Sequence, residues 1–139
     1  MQISVIELPL EEVTSTAIQR AFAEIAQQQS DAVIVNSNSL LFPYRQLIVE
    51  LVEKSRLSAL YPWREYVEAG GLMAYASDNR ELWRRMADDV HQILNGAKPG
   101  DIPIFQPTKF EFVINLKAAK AIGLAVPPAL LAAADEVIE

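Results

Sequence analysis

The sequence predicts an α/β fold built on a parallel βαβαβ unit, a Rossmann/flavodoxin-like arrangement, and three observations predict it. The run DAVIVN at residues 31–36 is continuously apolar within its ends, as strands covered on both faces are. Stripes of helical spacing flank it on either side. The connections between these runs are short, and short strand–helix–strand connections favour parallel pairing with right-handed crossovers. At 139 residues the chain has the length of one ordinary domain.

In chain order, residues 2–8 (QISVIEL) read as a first strand. Pro9 suits a first helical turn, with Glu11 and Glu12 near its positive end. The stripe Leu10, Val13, Ala17, Ile18, Ala21, Phe22, Ile25 then faces a core, and the polar run at 27–30 ends the helix. After the second strand at 31–36, Pro43 opens a second helix with the stripe Tyr44, Leu47, Ile48, Leu51, Val52. Residues 58–61 (SALY) form a third short strand. Residues 72–76 read as a further strand. Residues 79–95 are an amphipathic helix with Leu82, Trp83, Met86, Val90, Ile93 and Leu94 on one face and Gly96 as its stop. A turn-rich connector, AKPGDIPIFQP, leads to an alternating strand at 110–116, a short helix at 117–122 ending at Gly123, and a last Ala/Leu-rich helix opened by Pro127-Pro128.

Composition narrows the function. The hydrophobic fraction of 51% and charged fraction of 22% are those of a globular chain. A net charge of -6, with Lys and Arg scattered, argues against nucleic acid as a partner, because phosphate neutralisation needs a basic face. With no Cys there is no disulfide, thiolate metal site or cysteine nucleophile. The single His, His91, lies beside an apolar stripe and is better read as structural than as a metal ligand. No Walker loop, G-x-G-x-x-G fingerprint or G-x-S-x-G elbow is present, so no catalytic residue, cofactor or metal is expected. No apolar run approaches the ~20 residues of a membrane helix, and the N-terminal residues carry no signal-peptide pattern.

Ligands of open α/β sheets bind beyond the carboxyl ends of the strands. Here those ends carry Asn36 and Ser37, then Tyr61, Pro62, Trp63 and Arg64. Arg64 could pair a carboxylate bidentately, and Tyr61 or Trp63 could stack on a flat or apolar ligand. Each alone is equally a core-edge Tyr, a packing Trp and a solvated Arg; their position at one strand end raises the binding reading. Gly70-Gly71, followed by a strand rather than a helix, fits a turn or hinge better than a phosphate cradle.

The segments EAGGLMAY, IL-x-GAKPGDIP, QPTKFEFVINLKAAKAIGL and PP-x-LL-x-x-ADEVIE carry a family likeness. The chain resembles the C-terminal part of ABC-transporter substrate-binding proteins of the tryptophan/tyrosine-binding type. One departure is Ala76, where the family more usually has Gly. The resemblance implies a type I periplasmic-binding-protein-like fold of two α/β lobes with solute held between them, an ABC permease as partner, and a periplasmic location. It implies that residues 1–69 are a second-lobe βαβαβ unit, 70–77 a hinge crossing through Gly70 and Gly71, and 78–139 a segment completing the first lobe. Tyr75 joins Asn36, Ser37, Tyr61, Trp63 and Arg64 as a ligand-binding candidate. On this reading the chain is a truncated form, beginning partway through the second lobe without a signal peptide, and by itself binds solute weakly or not at all. The competing reading is a stand-alone flavodoxin-like domain with its own ligand or sensory role.

An assembly expectation follows. The helix at 79–95 has no sheet of its own to cover, and the strand at 110–116 should present unpaired edges, which invite pairing with another chain. A homodimer or higher oligomer built from residues after Gly71 is therefore expected.

Overall fold

The computed structural model describes residues 3–139. A five-stranded sheet carries the fold, with its strands side by side in chain order: β1 (Ala32–Ile34), β2 (Ser58–Tyr61), β3 (Met73–Ser77), β4 (Phe110–Asn115) and β5 (Glu136–Ile138). β1, β2 and β3 are mutually parallel; β4 runs antiparallel to β3, and β5 runs parallel to β4. The register sets Tyr61, Ala74, Val113 and Glu136 in one row across the sheet. Because side chains alternate along a strand, that row and Ala59 share one face.

Helices cover this face. In α1 (Ser15–Gln27) the Thr14 hydroxyl accepts from the Ala17 amide at 3.1 Å, and Ile18, Phe22 and Ile25 are buried at helical spacing. After a 3-10 turn at Ser39–Tyr44, α2 (Arg45–Ser55) buries Ile48, Val49 and Val52 and packs on α1. The short α3 (Arg64–Glu68) buries Tyr66 and Val67 and lies against β2, β3 and β4. Tyr66 stacks on Tyr61 at 5.1 Å and 14° between ring planes. Gly71 passes beneath both: a Cβ there would stand 2.5 Å from the Tyr61 ring and 2.7 Å from the Tyr66 carbonyl oxygen. The opposite face is covered only in part. Ile114 is buried there, while Ile34, Tyr75 and Phe110 are 75%, 54% and 45% exposed.

Three expectations are corrected. Residues 3–8 form no strand, and Gln2, where that strand was to begin, lies outside the described residues. A strand exists by pairing, and this run pairs with none: Ile3, Val5 and Ile6 are exposed, while Leu8 and Leu10 pack on the core. The three parallel strands are therefore 32–34, 58–61 and 73–77, and the first helix starts at Ser15, capped by Thr14, rather than at Pro9. Second, 72–75 does not leave the sheet after Gly70-Gly71; β3 pairs with β2 in the same sheet. Third, the strand at 110 has a neighbour on each side: β4 pairs with β3 over residues 110–114 and with β5 over 113–115, so that only its first residues lie beyond the β5 ladder. The segment that does leave the sheet is 78–109. It contains α4 (Asn79–Leu94), none of whose residues is buried. α5 (Leu116–Ala121) and α6 (Pro128–Ala133) then connect β4 to β5.

The Gly71 contact gives a direct test. Gly71→Ala should lower unfolding free energy by about 1–3 kcal/mol, since backbone and a buried ring must both move. Gly100→Ala, with nothing within 4 Å of the added carbon, should stay within about 0.5 kcal/mol in the same denaturation series.

Candidate functional site

Because β1, β2 and β3 are parallel, their carboxyl ends reach one edge of the sheet, where β4 and β5 begin. The chain continues from these ends into Asn36 and Ser37, Trp63 and Arg64, and Asp78 and Asn79. Between α3 and the start of α4 lies a cleft of about 210 Å³ lined by Trp63, Arg64, Glu65, Glu68, Asp78, Asn79, Arg80 and Glu111, with Ala74, Ala76 and Val113 as its floor. That volume falls short of the roughly 300–1,000 Å³ of ordinary small-molecule sites.

Trp63 is the N-cap residue of α3, in extended backbone conformation. Its half-buried ring meets Phe42 edge-on at 5.5 Å and leans on Tyr66 at 6.2 Å, which fixes its angle over the cleft. Arg64 is the first residue of α3 and is committed to protein carboxylates. Its Nε donates to Glu68 at 2.9 Å, Nη1 to Glu111, and Nη2 to Glu136 at 2.8 Å. The Glu68 hydrogen bond, followed by that of Glu136, holds the guanidinium as a cation still more firmly than usual. Arg64 thereby ties α3 to β4 and β5. Arg80, by contrast, has no ion-pair partner among the described residues. Glu65 has a buried carboxylate oxygen, Oε2, that meets no hydrogen-bond donor among the described residues.

Asp78 marks where the chain leaves the sheet. Its carboxylate caps α4 by accepting from the Arg80 amide at 2.9 Å, and pairs with Lys109 Nζ at 3.1 Å. Its amide donates to the Lys109 carbonyl at 3.0 Å, so the outgoing and returning strands stay joined. The Lys109 hydrogen bond, then that of the Arg80 amide, lowers the Asp78 pKa below the usual carboxylate value.

The expected site residues are thus dispersed. Trp63 and Arg64 line the cleft. Asn36 and Ser37 are exposed at the same end of the sheet, outside the cleft lining. Tyr61 is 1% exposed, in the core beneath Tyr66. Burial raises its pKa, with the neighbouring Tyr66 adding to the shift, and its hydroxyl meets no hydrogen-bond partner among the described residues. Tyr75 is on the opposite face, stacked with Phe110 at 5.4 Å. Gly70 and Gly71 lie at the far ends of the strands, in the turn before β3. Residues that the sequence reading passed over are Asp78, Arg80, Glu65 and Glu111. The capping box Asp78-Asn-Arg-Glu81 was the available signal for the first two. Among the described residues, no cluster of His, Asp and Glu suits a metal ion, and no helix is long and apolar enough to cross a membrane.

A family model described as "ABC transporter substrate binding protein" matches residues 1–138. A conserved domain protein of Vibrio cholerae superposes with a TM-score of 0.82 at 25% identity, over 91% of this chain and 42% of its own. An ABC domain from Streptococcus pneumonia, solved in complex with L-Trp, gives 0.75 at 25% identity over 89% and 41%. A ligand-free, open substrate-binding protein from Clostridium difficile shares the fold at 0.57 and 18% identity, over 83% and 39%. The chain therefore spans about two fifths of these solved chains. No curated protein matches it.

Two predictions follow from these environments. Tyr61→Phe removes a buried hydroxyl that has no partner, so stability should hold or rise by up to about 1 kcal/mol, whereas Tyr61→Ala should lose about 3–5 kcal/mol. Burial raises the pKa values of both Tyr61 and Tyr66 in the folded chain, while in the unfolded chain each ionises near ~10. Their contribution is therefore present below that pH and declines as pH rises above it. Denaturant midpoints should be level from about pH 7 to 9 and fall beyond about 10, with a shallower fall in Tyr61→Phe.

Arg64→Ala leaves three carboxylates facing one another and should destabilise the chain by about 1–3 kcal/mol. Denaturation of both chains at pH 7 checks this.

Proposed function

The chain belongs to the ABC transporter substrate binding protein family, and on that premise we propose that it supplies one lobe, and the crossing segment, of a two-lobed solute-binding protein serving an ABC importer from outside the cytoplasm. The observation that carries this reading is the cleft at the carboxyl end of the sheet, with an unpacked segment leaving beside it. A clamp of this kind holds solute between two walls, and the 210 Å³ cleft is one wall. Residues up to 77 together with 110–139 make the sheet lobe, and 78–109 is the portion that reaches the other lobe. The two strands joined by the Asp78–Lys109 contacts are the crossing, rather than Gly70-Gly71. A paired crossing of this kind bends at a few element-terminal residues while the strands behind it stay rigid.

The solute is a small amino-acid-like zwitterion with a flat or apolar side chain. Trp63 offers a ring for that side chain and Arg80 a guanidinium free for a carboxylate, while Glu65 and Glu68 place carboxylates in the lining to favour an ammonium group. Arg80 takes the part that the sequence suggests for Arg64, whose N–H groups are occupied. A neighbour of the same fold holds L-Trp, which makes that amino acid the first probe. The role is binding and delivery to a permease, and asks of the cleft only stacking and ion pairing.

With one wall, affinity should be weak, a dissociation constant above about 100 µM, because a solute wet on one side loses much of its contact. Amide-shift titration with L-Trp should move resonances around Trp63 and residues 78–80. Trp63→Ala should weaken the response about tenfold or more. Shifts located elsewhere, or none up to millimolar solute, would overturn the assignment of the cleft.

A further inference from the structure

Charge is unevenly distributed in the cleft. Glu65, Glu68, Asp78 and Glu111 bring four carboxylates to its lining, against the two guanidinium groups of Arg64 and Arg80. The ion-pair partners beyond the lining, Glu136 on Arg64 and Lys109 on Asp78, cancel one another, so a surplus of two negative charges remains. The two cations are not equivalent. Each of the three side-chain nitrogens of Arg64 already donates to a carboxylate. Arg80 has no ion pair among the described residues, and it is exposed. The lining therefore holds one seat for a solute carboxylate, at a position where water screens the contact and an ion pair gains about fivefold at most.

We propose, resting on the solute-binding reading of this cleft, that its wall recognises the ammonium end of the solute and does without the carboxylate. The solute class then widens from amino acids to small aromatic primary amines. An ammonium group entering the cleft meets the carboxylate surplus, an attraction that acts over several ångströms and needs no single fixed partner. The half-buried Trp63 ring serves either kind of solute, by stacking on an aromatic group and by offering a cation the face of its indole. A carboxylate without an ammonium meets the opposite balance. It gains one exposed guanidinium, that of Arg80, and is repelled by the carboxylates that Arg64 and Lys109 leave uncompensated.

Three indole probes separate the two ends: tryptamine carries only the ammonium, indole-3-propionate only the carboxylate, and L-Trp both. In amide-shift titrations of the chain at pH 7 and low salt, tryptamine should bind within about fivefold of L-Trp. Indole-3-propionate should bind at least about tenfold more weakly than tryptamine. Raising NaCl to about 0.5 M should narrow that gap, because the screening length then falls below ~8 Å. Arg80→Gln should weaken L-Trp by up to about fivefold and leave tryptamine as tight or tighter, a split that general damage to the fold would not produce. Glu68→Gln, which removes one surplus charge at an exposed position, should narrow the gap between amine and acid about twofold. Equal binding of the two ends, tighter binding of the acid, a gap indifferent to salt, or L-Trp binding with no response to tryptamine overturns the proposal and leaves the cleft reading standing. No shift around Trp63 and residues 78–80 with any of the three probes overturns the cleft reading and this proposal with it.

Discussion

The packing of Tyr66 on Tyr61 above Gly71 is the contact on which the arrangement of the molecule depends. Tyr61 ends β2, Tyr66 belongs to α3, and Gly71 leads into β3, so one cluster fixes two strands and the helix between them. Both rings are buried almost completely. The short α3 has few residues with which to hold itself, and an isolated five-residue helix is unstable in water. It exists because Tyr66 and Val67 are drawn into the core. Trp63 and Arg64, at its amino end, inherit their positions from that burial, and the cleft inherits its wall from them.

Charge divides into two kinds at this end of the sheet. Arg64 and its three carboxylates are spent on cohesion, joining a helix to two strands that are distant in sequence. Arg80, in the lining of the cleft, has no such partner among the described residues. An arginine beside an aromatic at a strand end looks the same in sequence whichever kind it is. The distinction needs the position of β4 and β5, which bring Glu111 and Glu136 to the guanidinium.

The central part of the fold was legible because its signals are local. The runs at 31–36 and 58–61, the stripes of α1 and α2, and the amphipathic α4 with Gly96 at its end are read from spacing alone. The failures are non-local. Residues 3–8 have the composition of a strand and no partner, whereas β5, three residues long, shows no pattern and is a strand because Asp135 and Phe112 bond to each other and bring it alongside β4. Gly70-Gly71 reads as freedom but serves closeness, since Gly71 is the residue small enough to pass under two tyrosines. Tyr61 and Tyr75 differ by burial, which follows from the face of the sheet each occupies once register is set.

The pairing of β3 with β4 has a consequence for how the sheet is assembled and altered. Ser77 and Phe110 are register partners although 32 residues, 78–109, lie between them. Closing a loop of that length costs only about 2.5 kcal/mol more entropy than closing a two-residue turn. The strands are thus a β-hairpin with an outsized insert at its tip. Exchanging the insert for an Asn-Gly turn would leave the ladder in register and relieve the surface of α4. The strands would then still lie side by side in the order in which the chain makes them.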